Sequence, residues 1–237
     1  MTEKMILVKA YFDSIIILLG EEVKQMKLEA ECGSFVIVGG RICLNFLNTQ
    51  VRKPRGIVDL ISTPNQLRQW LVAANLISPE ASERLSRQWQ EGDNGRSARQ
   101  QTVELRAFLR PIMEALIAGQ PVPSASIERL NSVLHENPAY LTLRYDEEGR
   151  FTQEAQFDTD KMYDWIPVIA QDTADFLCHA DHSLLKQCDG VGCIRLFYDT
   201  TKNHKRRWCS VEKCGRQAKA AAYYRRTKEA KNEGVCP

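Results

Sequence analysis

The 237-residue chain has no long apolar run. Near its start the longest is Ile15 to Leu19, with Asp13 before it and Glu21 after, whereas a membrane-spanning helix takes roughly 20 apolar residues. A secretory leader would also need a longer apolar core and a small-residue cleavage site. A cytoplasmic protein is therefore expected, in which the eight cysteines are thiols or metal ligands rather than disulfides. The chain also lacks an HExxH pair, a P-loop and a nucleophile elbow, and Gly39-Gly40 is too little for a dinucleotide fingerprint. An enzyme needs an activated nucleophile, an acid–base pair or an open metal site, so the chain reads as non-enzymatic. There are no internal repeats and no low-complexity stretch. Hydrophobic residues make up 43% and charged residues 26%, which fits a globular rather than a disordered chain.

The net charge of +2 hides an uneven distribution. Between Lys186 and Lys231 thirteen Lys and Arg stand against four acids, a balance of +9. Residues 1–185 hold 19 bases and 25 acids, a balance of −6, and Glu233 supplies the remaining −1. A mildly acidic body with a basic end calls for a polyanionic partner at that end.

Residues 1–33 read as an N-terminal extension of uncertain structure, with Met26 as an alternative start. From Ser34 to Asn48 the run is β-rich, and Gly39-Gly40 signals a hairpin. Thr63-Pro64 opens a helix carrying Leu67, Trp70, Leu71 and Ala74 at helical spacing. Ser78-Pro79 opens a second, with Leu85 and Trp89 on one face. A third runs to about Ala118 through Pro111, where a kink is expected. Ser124 to Leu134 forms a fourth, Tyr140 to Phe157 a hairpin turning at Asp146–Gly149, and Asp158 to Ala180 a fifth helix. The fold class is mainly α with a small antiparallel β-sheet or hairpins, ending in a treble-knuckle-like cysteine module followed by a basic helix. Residues 34–182 form the larger unit and 183–237 the C-terminal cysteine module, with too few residues between them for a floppy tether.

Four cysteines stand as matched pairs, Cys188-x4-Cys193 and Cys209-x4-Cys214. Each pair can place two thiolates on one side of a tight loop, and Gly190, Gly192 and Gly215 supply the backbone freedom. Zinc takes four thiolates tetrahedrally, and a full set of four cysteines leaves no open position, so one structural Zn2+ per chain is expected. An iron–sulfur cluster, or His204 in place of one cysteine, are the alternatives. Cys32, Cys43, Cys178 and Cys236 show no ligand spacing, and Cys178-His179 with His182 reads as a helix end.

Arg216 to Lys231 is rich in helix formers, and sixteen residues span about 24 Å. Arg216, Lys219, Tyr223 and Arg226 share one helical face, and Lys205, Arg206 and Arg207 lie just before Cys209. With Arg225, these are the candidate nucleic-acid contacts, because such a helix fits the major groove while Lys and Arg bind phosphates. In the larger unit Asn45, Asn48, Thr49 and Arg52 form a polar cluster that could line a ligand pocket. Capping of a strand end is the plainer reading.

The run from Cys188 to Arg226 resembles the CGNR zinc finger: a first cysteine pair, Leu196-Phe-Tyr-Asp199, Arg206-Arg-Trp-Cys209 and Cys214-Gly-Arg-Gln217. Where the family has Asn-Arg this chain has Arg216-Gln217, which moves the guanidinium one position earlier. Upstream, Cys43-Leu-Asn-Phe-Leu-Asn-Thr49 followed by Leu67-Arg-Gln-Trp70-Leu71 resembles the ABATE domain, with Asn45 where that family has Asp. The resemblance implies a mostly helical domain with a small sheet, and a stress-responsive transcription regulator for which small-molecule sensing has been proposed. The expected partners are DNA, a small-molecule effector and, as an option, a second copy in a homodimer, with no membrane. The runner-up is an RNA-binding or ribosome-associated zinc protein.

Overall fold

The computed structural model describes residues 35–90, 93–136, 140–145, 149–156 and 165–232. The extension 1–33, Cys32, Cys236, most of the 146–149 turn and the expected opening of the fifth helix at 158–164 lie outside the described residues. The protein is mainly helical, with small antiparallel hairpins. Its elements are α1 (Ile42–Leu47), β1 (Gln50–Lys53), β2 (Gly56–Asp59), α2 (Pro64–Ala73), α3 (Pro79–Gln90), α4 (Asn94–Ala118) and α5 (Ser124–Glu136). After these come β3 (Tyr140–Tyr145), β4 (Phe151–Gln156), α6 (Trp165–His179), β5 (Leu185–Gln187), β6 (Leu196–Tyr198) and α7 (Arg216–Asn232). Among the described residues the strands pair only as β1–β2, β3–β4 and β5–β6, and no helix is long and apolar enough to cross a membrane.

Local chemistry explains most helix ends. Thr63 caps α2 through a reciprocal box with Gln66, and Pro64 takes the first helical position. α4 runs unbroken past Pro111 and is the hub, touching every other helix of the body and β5. It buries Ala98, Thr102, Leu105, Leu109, Ile112 and Met113 at helical spacing. Trp165 of α6 closes one side of the core, donating its indole N–H to Thr102 Oγ1 at 3.0 Å.

One sequence expectation fails here. The run 34–48 is not a hairpin turning at Gly39-Gly40; its second half is α1, and the nearby hairpin is β1–β2, one element later. Helix α1 has no side-chain cap of its own, since Arg41 occupies the N-cap position. Its cap comes from α6 instead: Asp172 accepts the Cys43 N–H at 2.8 Å, and Arg41 pairs with Asp172 and Asp175. Cys43, Leu44, Phe46 and Leu47 are fully buried, so α1 is enclosed on all sides and shows no amphipathic period. Gly39 is required rather than a turn former. A Cβ there would stand 2.8 Å from Asn45 N, and its own N–H donates to Asn45 Oδ1 at 2.7 Å.

The β1–β2 hairpin is fastened to α4 by a buried cation. The Arg106 guanidinium, almost wholly enclosed, donates to both carboxylate oxygens of Asp59 at the end of β2 and to Thr49 Oγ1 at 2.6 Å. Removing one partner of such a pair strands the other. Arg106→Met should therefore destabilise the fold by about 3 kcal/mol, the low end for breaking a buried ion pair. A denaturant midpoint within error of the parent protein's would contradict this packing.

Candidate metal centre and nucleic-acid interface

β6 is three residues long and belongs to two cores. Leu196 and Tyr198 face the helical body, where Leu185 of β5 joins them, whereas Phe197 faces Cys188, Cys209 and Cys214. Strand alternation makes this division unavoidable. From this ladder the chain enters the first knuckle at Cys188, whose N–H donates to Arg195 O at 2.9 Å. The knuckle closes with Cys193 N–H on Gly190 O at 2.8 Å. Gly190 leaves no room for a side chain: a Cβ would meet Cys214 Sγ at 3.0 Å. The second pair is shaped by Ser210, whose hydroxyl accepts the Lys213 N–H at 3.2 Å and caps a π-helical turn, Val211–Gly215, that delivers Cys214 to the start of α7.

The four sulfur atoms of Cys188, Cys193, Cys209 and Cys214 all lie within 4.8 Å of one another. Two of their separations are 3.9 Å (Cys193–Cys209) and 3.6 Å (Cys209–Cys214). A tetrahedron of Zn–S bonds of about 2.3 Å has edges of about 3.8 Å. Backbone N–H groups already point at sulfur, from Gly190 and Cys209 to Cys188 Sγ at 3.4 and 3.2 Å, as suits a thiolate acceptor. The donor set fits zinc, and the protein binds one Zn2+ here. His204 is turned away from this cluster, its Nδ1 set against Asp199 O at 3.2 Å, and takes no part in it.

Without a cation the four thiols cannot all ionise. The hydrogen bond from Cys209 lowers Cys193 to about 5. Burial and the neighbouring thiolates push Cys214 up to about 11. Cys209 is raised further, by its bond to Cys193 and then by burial. Zinc supplies the positive charge that allows four thiolates to share the space, and its uptake must displace protons.

Two cations counted in the basic balance of the segment are bound within the module's own hydrogen-bond network. Lys186, counted among the basic residues, donates to Asp199 Oδ2 at 2.7 Å and to His204 O at 2.6 Å. Asp199 is fully buried and also accepts from Thr201 N, Thr201 Oγ1 and Arg206 N. Burial alone would raise this carboxyl, but Lys186, the Thr201 groups and the Arg206 amide together hold it well below the usual carboxylate range. Arg206, expected to meet phosphate, does not face outward. Its guanidinium lies 4.3 Å over the Phe197 ring and donates to Trp208 O, Cys209 O and, across the junction, Val38 O at 3.1 Å. Three carbonyl acceptors and an aromatic face hold this cation in the fold. The LFYD and RRWC motifs were visible in the sequence, but nothing there distinguished Arg206 from Arg207.

The other expected nucleic-acid residues are exposed: Lys205, Arg207, Arg216, Lys219, Tyr223, Arg225 and Arg226. Arg207 stacks 5.5 Å over Trp208 and pairs with Asp189 at 2.7 Å on the first knuckle. On α7, Arg216, Lys219, Tyr223 and Arg226 make one stripe. Arg225, nine residues after Arg216, falls on the opposite side by helical geometry.

Three of the four expected pocket residues are buried in the framework of the body. Asn45 and Asn48 lie on and at the end of α1 rather than after a strand, and Asn45, Asn48 and Thr49 are all buried. Asn45 holds Gly39, and Thr49 donates to Phe46 O while accepting from Arg106. Asn48 splints the two units: its amide donates to Leu196 O and accepts Leu196 N–H, both at 2.8 Å. Asn45 Oδ1, both amide atoms of Asn48 and the Thr49 hydroxyl are thus engaged within the framework. Arg52 is exposed on β1, apart from this network.

Cys209→Ala should lose the metal and unfold the C-terminal module, since structural zinc contributes on the order of 10 kcal/mol to small modules. Zinc affinity should rise with pH up to the thiol range as fewer protons need displacing. Metal analysis of native protein should give one zinc per chain. Absence of zinc, or a pH-independent affinity, would contradict the assignment.

A family model described as "Putative stress-induced transcription regulator" (ABATE) matches residues 40–180, and the CGNR zinc finger model matches residues 185–227. A search of curated proteins finds no match. Neither matching description is that of an enzyme. With the first match spanning more than half of the chain and the second enclosing all four clustered cysteines, the protein belongs to the ABATE family and carries a CGNR zinc finger.

Proposed function

We propose that this protein is a zinc-dependent DNA-binding transcription regulator, in which the zinc module contacts DNA and the unit 34–182 tunes that contact in response to a small-molecule or stress signal. It works in the cytoplasm, where its thiols stay reduced, and catalyses no reaction. The observation that carries the reading is α7. This helix leaves the metal centre with the Lys, Arg and Tyr side chains of residues 216–228 in solvent, and its most extensive packing is with the adjoining turn that holds Cys214. Tyr223 and Tyr224 are 65% and 72% exposed. A helix clamped by a metal at one end and bare along its length does not cover a core. Its diameter suits the major groove, and its cations suit phosphates.

The route for a signal is the junction, where Asn48 holds Leu196, Gly39 O accepts the Tyr198 N–H at 2.8 Å, and Val38 O accepts from Arg206. An effector that favours one arrangement of this seam shifts DNA affinity by its differential binding energy, typically about 1–3 kcal/mol. Asn48→Ala would leave the buried N–H and C=O of Leu196 without partners. We expect about 3 kcal/mol lost and a DNA affinity that changes even though no DNA-facing side chain is altered. Unchanged stability and affinity would remove the junction from the account.

The DNA reading itself is tested by titrating zinc-loaded protein with a mixed-sequence duplex and with structured RNA over a range of salt. Duplex binding should weaken steeply with salt because counterion release dominates. Arg207→Ala should reduce the salt slope by about one unit per lost phosphate contact and leave zinc content intact, whereas Arg206→Ala should destabilise the module. Salt-independent binding, or preference for the RNA, would overturn the reading.

A further inference from the structure

The β1–β2 hairpin carries three cations within four residues at its tip, on the acidic body. Its register pairs Gln50 with Asp59 and Lys53 with Gly56, leaving Pro54-Arg55 as a two-residue turn. Arg52, Lys53 and Arg55 are all exposed, and among the described residues none of them forms an ion pair. Ile57, directly across from Arg52 and therefore on the same face, is 57% exposed. While Val51 and Asp59 anchor the base of this ribbon, its tip carries three exposed cations beside an exposed isoleucine, and among the described residues those cations close no ion pair.

Two contacts fix where this tip points. At its base, Asp59 is clamped to α4 by Arg106. Along β1, the Arg52 side chain lies against the first zinc knuckle: a Cβ on Gly192 would stand 3.5 Å from Arg52 Cδ. Gly192 has φ of +70°, and the adjacent Val191 is 97% exposed at the loop's crest. The same knuckle carries Asp189, which holds Arg207. The knuckle is thus flanked by Arg52 from the body and by Arg207 from the finger, which sets the hairpin beside the zinc module.

From this placement we infer that the β1–β2 hairpin is a second DNA-contacting element, a basic ribbon that binds the phosphate backbone of the duplex beside the segment engaged by the zinc module. The inference rests on the DNA reading above and extends it to the larger unit. Phosphates recur along both strands, so a ribbon displaced from the helix by one knuckle meets further phosphates rather than competing for the same ones. The ribbon adds affinity and orientation, since phosphate contacts position a protein without reading sequence. It also couples the two units, because DNA bound to both surfaces depends on the geometry of the seam between them.

The test uses zinc-loaded full-length protein and a mixed-sequence DNA duplex. Parent protein is compared with the combined variant Arg52→Ala, Lys53→Ala, Arg55→Ala and with a charge-keeping variant, Arg52→Lys with Arg55→Lys. Zinc content and unfolding midpoint establish that each is folded. The alanine variant should lower the slope of log affinity against log salt by about 2 to 3 units, and the lysine variant should restore it. A photo-crosslinking side chain in place of Arg55 should form an adduct with the duplex. If the parent binds DNA but the alanine variant keeps its affinity and slope and no adduct forms, the hairpin inference is wrong and the finger alone binds. If the parent does not bind the duplex at all, the DNA reading fails and the hairpin inference falls with it.

Discussion

Four sulfur atoms must converge within bonding distance of one cation, and much of the C-terminal architecture follows from that demand. The first knuckle needs Gly190 because a side chain there would collide with Cys214. The second needs Ser210 to shape the π-helical turn that brings Cys214 into the cluster and launches α7. Arg206 ties the loop before Cys209 to three carbonyls, and Lys186 with Asp199 fixes the start of that loop. None of these groups contacts DNA in the proposed function. They make a metal centre rigid enough to hold a long exposed helix at a set angle.

The metal centre does not stand apart from the helical body. β6 gives Leu196 and Tyr198 to the body and Phe197 to the sulfur cluster, so three consecutive residues belong to both cores. Asn48 fastens the same strand to α1 by two hydrogen bonds. This arrangement suits a regulator, since a change in the packing of α1 against α6 has a short, stiff path to the zinc site. It also places the hairpin beside the first knuckle, where body and finger can present cations side by side.

The zinc ligands were legible in the sequence because each pair is local: two cysteines five positions apart with glycines nearby specify a knuckle whatever the rest of the chain does. The longer helices were legible because capping at Thr63 and apolar periodicity in α4 are also local signals. Helix α1 was not, because its cap arrives from Asp172, more than a hundred residues away, and because burial on every side erases its period. The polar cluster Asn45, Asn48 and Thr49 was visible as a cluster. That its atoms are used on Gly39, Leu196 and Arg106 depends on tertiary neighbours a linear reading cannot supply. Charge behaves the same way. The sign of the C-terminal segment was plain, but which cations turn inward was not: Lys186 and Arg206 are bound within the fold, while Arg207 beside them is exposed. The hairpin cations were counted in an acidic body and gained meaning only when Arg52 was found against Gly192.

The claim that metal centre and body share one strand is tested most directly by amide hydrogen exchange before and after zinc is removed from the intact protein by a chelator. Protection should be lost at the cysteine knuckles and, with them, at the Leu196 and Tyr198 amides, and exchange should also quicken in α1 around Asn45 and Asn48. Loss of protection confined to residues 188–195 and 205–216, with Leu196, Tyr198 and α1 unchanged, would contradict it.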